Sequence, residues 1–403
     1  MKNRSLSIAI AGVGLLAAGA LHAAGLGTCP RLDADGGAGG SFTWTTTSTP
    51  ASPAYAPGLR IALWGDSLSS SRDFIGAALD TAGIAKGAVA PSFIQAGIPV
   101  PGLQLPVKAA CASKGWRVAY AHKEKRSQPG FSKGFLSMTA DSPGETIALD
   151  LRAPGSSARV KAVTLLYEKP APDASLMLAV SVDGGAEEFV SLSRRNSSVL
   201  RIVPDVPLAT IKLRVVSGKV TVHGFAPVYD SAPALLLDSF SVPGGLLRSW
   251  SNTAAAHFSA APEVAADYNL VLVQYGTNEG AVPSFSRTNY LSYLRENLGR
   301  MRSFYPRARC ILVGPPDRGN AGGGGALKFA NVHAQIASAQ KQVGLEHGCA
   351  FWDWQAAMGG PGSAARWAAM QPPQMQRDLT HLTAKGYQLS GRMFAQALLL
   401  NKH

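Results

Sequence analysis

Ser67, His381 and Asp378 are the residues of this chain whose types and spacing can do chemistry together. A serine hydroxyl is a weak nucleophile until a base takes its proton and hydrogen-bond donors accept the charge that grows on the attacked carbonyl oxygen. Ser67 lies in Gly65-Asp66-Ser67-Leu68, directly after the apolar run Ile61-Ala62-Leu63-Trp64. Asp378 and His381 stand three residues apart, ahead of Leu382-Thr383-Ala384-Lys385-Gly386-Tyr387. At that spacing one turn of backbone sets a carboxylate against imidazole Nδ1, which leaves Nε2 to face a serine and fixes the tautomer a general base requires. The chemistry implied is acyl transfer through a serine ester.

Such a reaction also needs an oxyanion cage. Asn278, in Tyr275-Gly276-Thr277-Asn278-Glu279, follows the strongest apolar run of the chain, residues 270–273, and its amide can donate to an oxyanion. Gly244, in Pro243-Gly244-Gly245, offers a backbone N–H that can approach the same oxygen, with Gly245 as its competitor. Each signal alone has an ordinary explanation: Asp66 and Ser67 as a helix cap, Asp378 and His381 as a cap and a surface residue, Asn278 and Gly244 as turn residues. Their shared position, each at the end of an apolar strand or just before a helix, is where ligands bind in open α/β sheets.

The elements that must position these groups are legible in outline. Residues 59–64 read as a short buried strand and residues 67–79 as the helix after it, which puts Ser67 at a helix N-terminus. Between residues 106 and 230 the texture changes to short alternating runs separated by Asp183-Gly184-Gly185 and Ser217-Gly218, an all-β, jelly-roll-like module. Apolar strands at residues 234–237, 270–275, 311–313 and 350–354 then alternate with helical patterns at 289–305 and 327–343. The expected fold is α/β, a doubly wound, mostly parallel sheet in three layers, interrupted by the β module after its first helix. The expected division is a signal peptide at 1–24, a flexible lead-in at 25–57, the α/β domain at 58–105 and 231–403, and the inserted sandwich at 106–230.

Composition narrows the setting. With 403 residues, 46% hydrophobic and 16% charged, the chain is long enough for a large core and is not disordered. Lys2 and Arg4, the apolar stretch 6–20 and small residues around Ala23 form a secretory signal, so an exported, periplasmic protein is expected. A lipid anchor at Cys29 fits poorly, because Thr28 stands where a small residue is normal. No later stretch approaches the about 18 apolar residues of a membrane span. The formal charge of +13, reduced by two with Lys2 and Arg4, suits an acidic glycan or surface in that compartment and equally suits general solubility. Nucleic acid is not an expected partner, and a monomer is the expected state. Four cysteines permit disulfides; Cys310 with Cys349 is the first pairing to consider, against two buried thiols. His122, His223, His257, His333 and His347 have no metal-ligand spacing, and no cofactor or metal is expected. Trp250, Trp352, Trp354 and Trp367 could line a sugar cleft, though core packing suits most of them better.

Gly65-Asp66-Ser67-Leu68, Gly276-Thr277-Asn278 and Asp378-Leu379-Thr380-His381 resemble the sequence blocks of GDSL/SGNH hydrolases. That resemblance implies Ser67 as nucleophile, His381 as base, Asp378 as its orienting carboxylate, and an oxyanion hole of Ser67, Gly244 and Asn278. It departs from the family at Ser241, where many relatives begin the glycine block with glycine. The export signal, the β module between the nucleophile and glycine blocks, and the runs 238–244 and Gly314-Pro315-Pro316-Asp317 are similar to periplasmic peptidoglycan O-acetylesterases of Gram-negative bacteria, whose inserted module is carbohydrate-binding-like. The resemblance implies removal of O-acetyl groups from an O-acetylated cell-wall glycan. A polysaccharide O-acetyltransferase using the same acyl-enzyme, and a non-catalytic glycan-binding protein, are the alternatives.

Overall fold

The computed structural model describes residues 39–46, 58–125, 130–171, 173–192, 197–265, 267–282, 284–321 and 327–400. The expected signal peptide, Cys29 and the glycine run 322–325 lie outside the described residues.

The strand Leu59–Gly65 shows why its apolar run is continuous. Ala62 and Trp64 face the helices Arg287–Phe304 and Lys328–Glu346, packing with Leu294, Leu298, Ile336 and Val343. Ile61 and Leu63 face the helices Arg72–Thr81 and Ala384–Leu398, packing with Phe74, Ala78, Phe394 and Ala395. A strand covered on both faces needs no polar side, which is the pattern of a buried parallel sheet. That sheet has six strands, in the order Cys349–Trp352, Arg309–Val313, Leu270–Gln274, Leu59–Gly65, Leu235–Ser239, Val89–Ala90, all paired in parallel. Leu59–Gly65 has Leu270–Gln274 on one side and Leu235–Ser239 on the other. The strand order reverses there, so the crevice at the C-terminal ends of these three strands is the switch point at which open α/β sheets bind ligands. Cys310 and Cys349, the first pairing to consider from the sequence, pair across neighbouring strands in a disulfide with Cα atoms 4.5 Å apart rather than standing as two buried thiols.

A single doubly wound parallel sheet does not describe the whole molecule. Two antiparallel sheets of seven and five strands form a separate β-rich part. Val163 and Leu165 of one sheet and Val180, Leu213 and Val215 of the other share one apolar core, the arrangement of a sandwich. Part of the expected lead-in belongs to it: Phe42–Thr45 pairs antiparallel with Val199–Pro204, and Phe42 is buried. Its Phe-Thr-Trp-Thr alternation is a four-residue strand signal that the surrounding Gly, Ser and Thr obscure. Ile94–Gln95, within the expected α/β segment, likewise pairs with Val220–Tyr229.

The two parts are joined by buried polar contacts. Lys133 Nζ donates to Val264 O and Tyr268 Oη, both at 3.0 Å, and Tyr268 donates to Asp238, which also accepts from Ser92 and Phe93. Burial lowers the Lys133 ammonium to about 8. No helix among the described residues is long and apolar enough to cross a membrane.

Candidate active site

The chain from Gly65 turns sharply before its helix. Ser69 N–H closes a turn onto Asp66 O, and Leu68 N–H donates to Asp66 Oδ1 at 2.9 Å. The helix starts only at Arg72, with the Ser71 hydroxyl accepting from Asp73 N–H. The helix does not start at Ser67 as the sequence pattern suggests; Ser69-Ser70-Ser71 prolong the turn, with Ser70 Oγ bonding Ser67 O at 2.9 Å, because serine side chains bond to nearby backbone in competition with the helix. Ser67 is therefore not in the first turn of that helix. Gly65 is required by crowding, since a Cβ there would stand 2.9 Å from Gln274 O and overlap Ser69 Oγ.

The structure brings Ser67, His381 and Asp378 together across most of the chain. Ser67 Oγ lies 3.0 Å from His381 Nε2, and His381 Nδ1 lies 2.7 Å from Asp378 Oδ2. The same carboxylate accepts from His381 N–H and Thr380 N–H, both at 3.0 Å on Oδ1. This tight loop is closed by Leu379 in a left-handed conformation, φ 54°, whose carbonyl is anchored by Gly319 N–H at 2.8 Å. Burial works to raise the Asp378 carboxyl, but its hydrogen bonds from His381 and Thr380 outweigh it and hold it below the ordinary carboxylate range. An ionised carboxylate on Nδ1–H leaves Nε2 as an acceptor toward Ser67 Oγ–H.

Candidate donors lie on the segments that adjoin Gly65: Val242 N–H bonds to Gly65 O at 2.9 Å, and Asn278 bonds to Gly245. Ser67 N–H and Gly244 N–H donate to no atom among the described residues, whereas Gly245 N–H is spent on Val242 O at 2.8 Å. Gly244 is exposed and adopts φ 75°, a conformation that favours glycine. Of the two competing glycines, Gly244 is thus the one with a free N–H. Asn278 Nδ2 donates to Gly245 O at 2.9 Å, which locks the asparagine onto the glycine turn and leaves its second amide hydrogen available. Ser241, where many relatives carry glycine, bonds Ser69 Oγ at 2.9 Å, and Ser69 donates to Gln274 at 2.8 Å.

Glu279 is a residue that sequence reasoning missed. Its Oε1 accepts from Leu247 N–H at 2.9 Å and Tyr293 Oη at 3.0 Å, and its Oε2 accepts from Gly276 N–H at 3.0 Å. It ties the segment after Gly244 to the segment before Asn278. Burial raises its pKa. The available signal was its place directly after Asn278 at a strand end. Burial likewise raises Asp66 to about 7, against the Leu68 N–H bond and with a further upward push from Glu279. The four tryptophans considered as a sugar cleft, Trp250, Trp352, Trp354 and Trp367, are all buried in the core.

Residues 224–389 match the GDSL-like Lipase/Acylhydrolase family. The chain carries a GDSL-type acylhydrolase domain. This GDSL acylhydrolase is a carboxylic ester hydrolase. The matched span holds Asn278, Asp378 and His381, while Ser67 precedes it. A solved structure described as "Peptidoglycan O-acetylesterase in action, 5 min" is similar with a TM-score of 0.63 at 19% identity, over 85% of this chain and 91% of that one. At that identity the likeness is one of fold. A family two carbohydrate esterase from Cellvibrio japonicus (TM-score 0.28, 10% identity, 72% of this chain and 98% of that one) and a GDSL-like lipase from Bacteroides thetaiotaomicron (0.29, 14%, 40% and 74%) are more distant. No curated protein matches the chain.

Proposed function

We propose that this acylhydrolase is a serine O-acetylesterase that removes acetyl groups from a cell-envelope polysaccharide, with peptidoglycan as its substrate. The observation that carries the reading is the Ser67–His381–Asp378 relay beside two free backbone N–H groups and the Asn278 amide. Ser67 Oγ attacks the acetyl carbonyl carbon while His381 Nε2 takes the hydroxyl proton. The carbonyl oxygen becomes an oxyanion held by Ser67 N–H, Gly244 N–H and Asn278. Its collapse breaks the bond to the sugar oxygen, which leaves with the proton from His381. A water then attacks the acetyl-serine, giving its proton to His381; acetate departs and Ser67 recovers its proton.

Hydrolysis is favoured over transfer to a second glycan by the openness of the relay, in which the His381 and Asp378 side chains are 36% and 47% exposed. Excluding water is what an acyltransferase must do. The choice of peptidoglycan, and with it the periplasm, rests on the sequence resemblance, the N-terminal export pattern and the similarity in fold to a peptidoglycan O-acetylesterase. The division into an α/β domain and a sandwich inserted near residues 106–230 belongs to the same proposal, with the sandwich holding the glycan.

The test is acetate release from O-acetylated peptidoglycan, acetylated xylan and a simple aryl acetate, with and without a free oligosaccharide acceptor. Preferential release from peptidoglycan, independent of acceptor, is expected. Acetyl transfer to the acceptor, or equal rates on all three, would contradict the assignment.

A further inference from the structure

Outside the active site, three side chains from distant parts of the chain converge on one point. Glu168 follows the strand Val160–Tyr167, His223 lies in the strand Val220–Tyr229, and His257 lies in the short helix Ala255–Phe258. His223 Nε2 is 3.0 Å and His257 Nε2 3.5 Å from Glu168 Oε2, and the three candidate donor atoms all lie within 4.8 Å of one another. Both rings turn the same nitrogen toward the carboxylate, with their centroids 4.2 Å apart.

We propose that Glu168, His223 and His257 bind a zinc ion that clamps the β-sandwich to the α/β part of the molecule. The separations suit it: donors at about 2.0–2.1 Å on a tetrahedral zinc stand about 3.3 Å from each other. Two imidazoles and one carboxylate are a borderline donor set that suits zinc and its transition-metal neighbours, whereas magnesium and calcium require mostly oxygen. The histidine side chains are 1% and 8% exposed while that of Glu168 is 54% exposed, so an ion there has an open side for water as fourth ligand. The Nδ1 atoms of both rings are buried without a hydrogen-bond partner among the described residues. Outer partners ordinarily raise affinity by about 10- to 100-fold, so micromolar rather than nanomolar binding is expected. The spacing 168, 223, 257 carries no sequence signature, because the ligands meet only when the two parts of the fold dock.

The test is titration of zinc chloride into the chelator-stripped full-length protein, followed by calorimetry and by thermal melting. One equivalent of zinc should bind, and a hundredfold excess over Kd should raise Tm by about 3 °C, with magnesium chloride inert. Glu168→Gln, at a half-exposed position that tolerates the change, and His257→Gln should each weaken uptake by more than about tenfold. Absence of saturable uptake, or equal uptake by both variants, would overturn the proposal, and neither result bears on the esterase reading.

Discussion

At the scale of single residues, the proposed catalysis depends on how few donors and acceptors are left uncommitted around Ser67. Asn278 gives one amide hydrogen to Gly245 O and has one left to give. Asn278→Ala should therefore lower kcat by about 10² to 10³ with little change in KM, measured on an aryl acetate. Glu279 bonds to protein donors, and in the proposed mechanism it is a positioning residue. Its carboxylate accepts three protein donors, and an amide in its place would turn N–H groups toward at least one of them. Glu279→Gln should reduce kcat by about 10- to 100-fold with KM nearly unchanged, whereas a purely structural role would lower Tm and leave kcat intact. Asp66 adds a pH effect. Its carboxyl rises from 3.8 to about 7 on folding, so its contribution to stability is fully present below about pH 4 and is lost as pH rises through about 7. Asp66→Asn keeps the Leu68 N–H bond and removes the ionisation. Urea unfolding should show the variant gaining on the parent steadily from about pH 4 to about pH 7; a difference that does not change with pH would contradict the assignment. The convergence of Ser67, His381 and Asp378 was legible because each half of it is a local pattern, a strand-end serine and an Asp–His pair. Glu279 was not, since its partners Leu247, Gly276 and Tyr293 come from three separate segments.

At the scale of elements, the strand ends determine where the chemistry sits. Gly65 must be glycine for the nucleophile turn to pass between Ser69 and Gln274. Gly65→Ala should displace Ser67 and abolish turnover along with a loss of stability on the order of 1–3 kcal/mol, read by kinetics and unfolding together. The parallel strands were readable from their continuous apolar runs, and the helices at residues 287–304 and 328–346 from their period, to within a few residues. Two features escaped. The helix after Ser67 begins at Arg72 because three serines in a row favour turns, and the edge strand Phe42–Thr45 is too short to stand out from a polar stretch.

At the scale of the whole molecule, the sandwich and the α/β part share buried structure. Phe93, Leu166, Val199 and Ala226 pack in the same apolar cluster as Trp64, Phe240 and Trp250. Lys133, Tyr268 and Asp238 add a polar link between the two parts. Chemical unfolding of the parent should accordingly be one cooperative transition, and Lys133→Met should lower stability by on the order of 3 kcal/mol by leaving the buried Val264 O and Tyr268 Oη without their donor and removing the charge nearest Asp238. Two separated transitions in the parent would mean independent units. None of this seam was visible in the sequence, where Lys133 is one cation among 38.

The account stands on Ser67 becoming acylated through His381. Intact-protein mass spectrometry after treatment with a serine-directed inhibitor, with peptide mapping, tests this most directly. A single adduct on Ser67, slowed by orders of magnitude in His381→Ala and absent in Ser67→Ala together with turnover, is the predicted result. An adduct on another residue, or full turnover by Ser67→Ala, would contradict it.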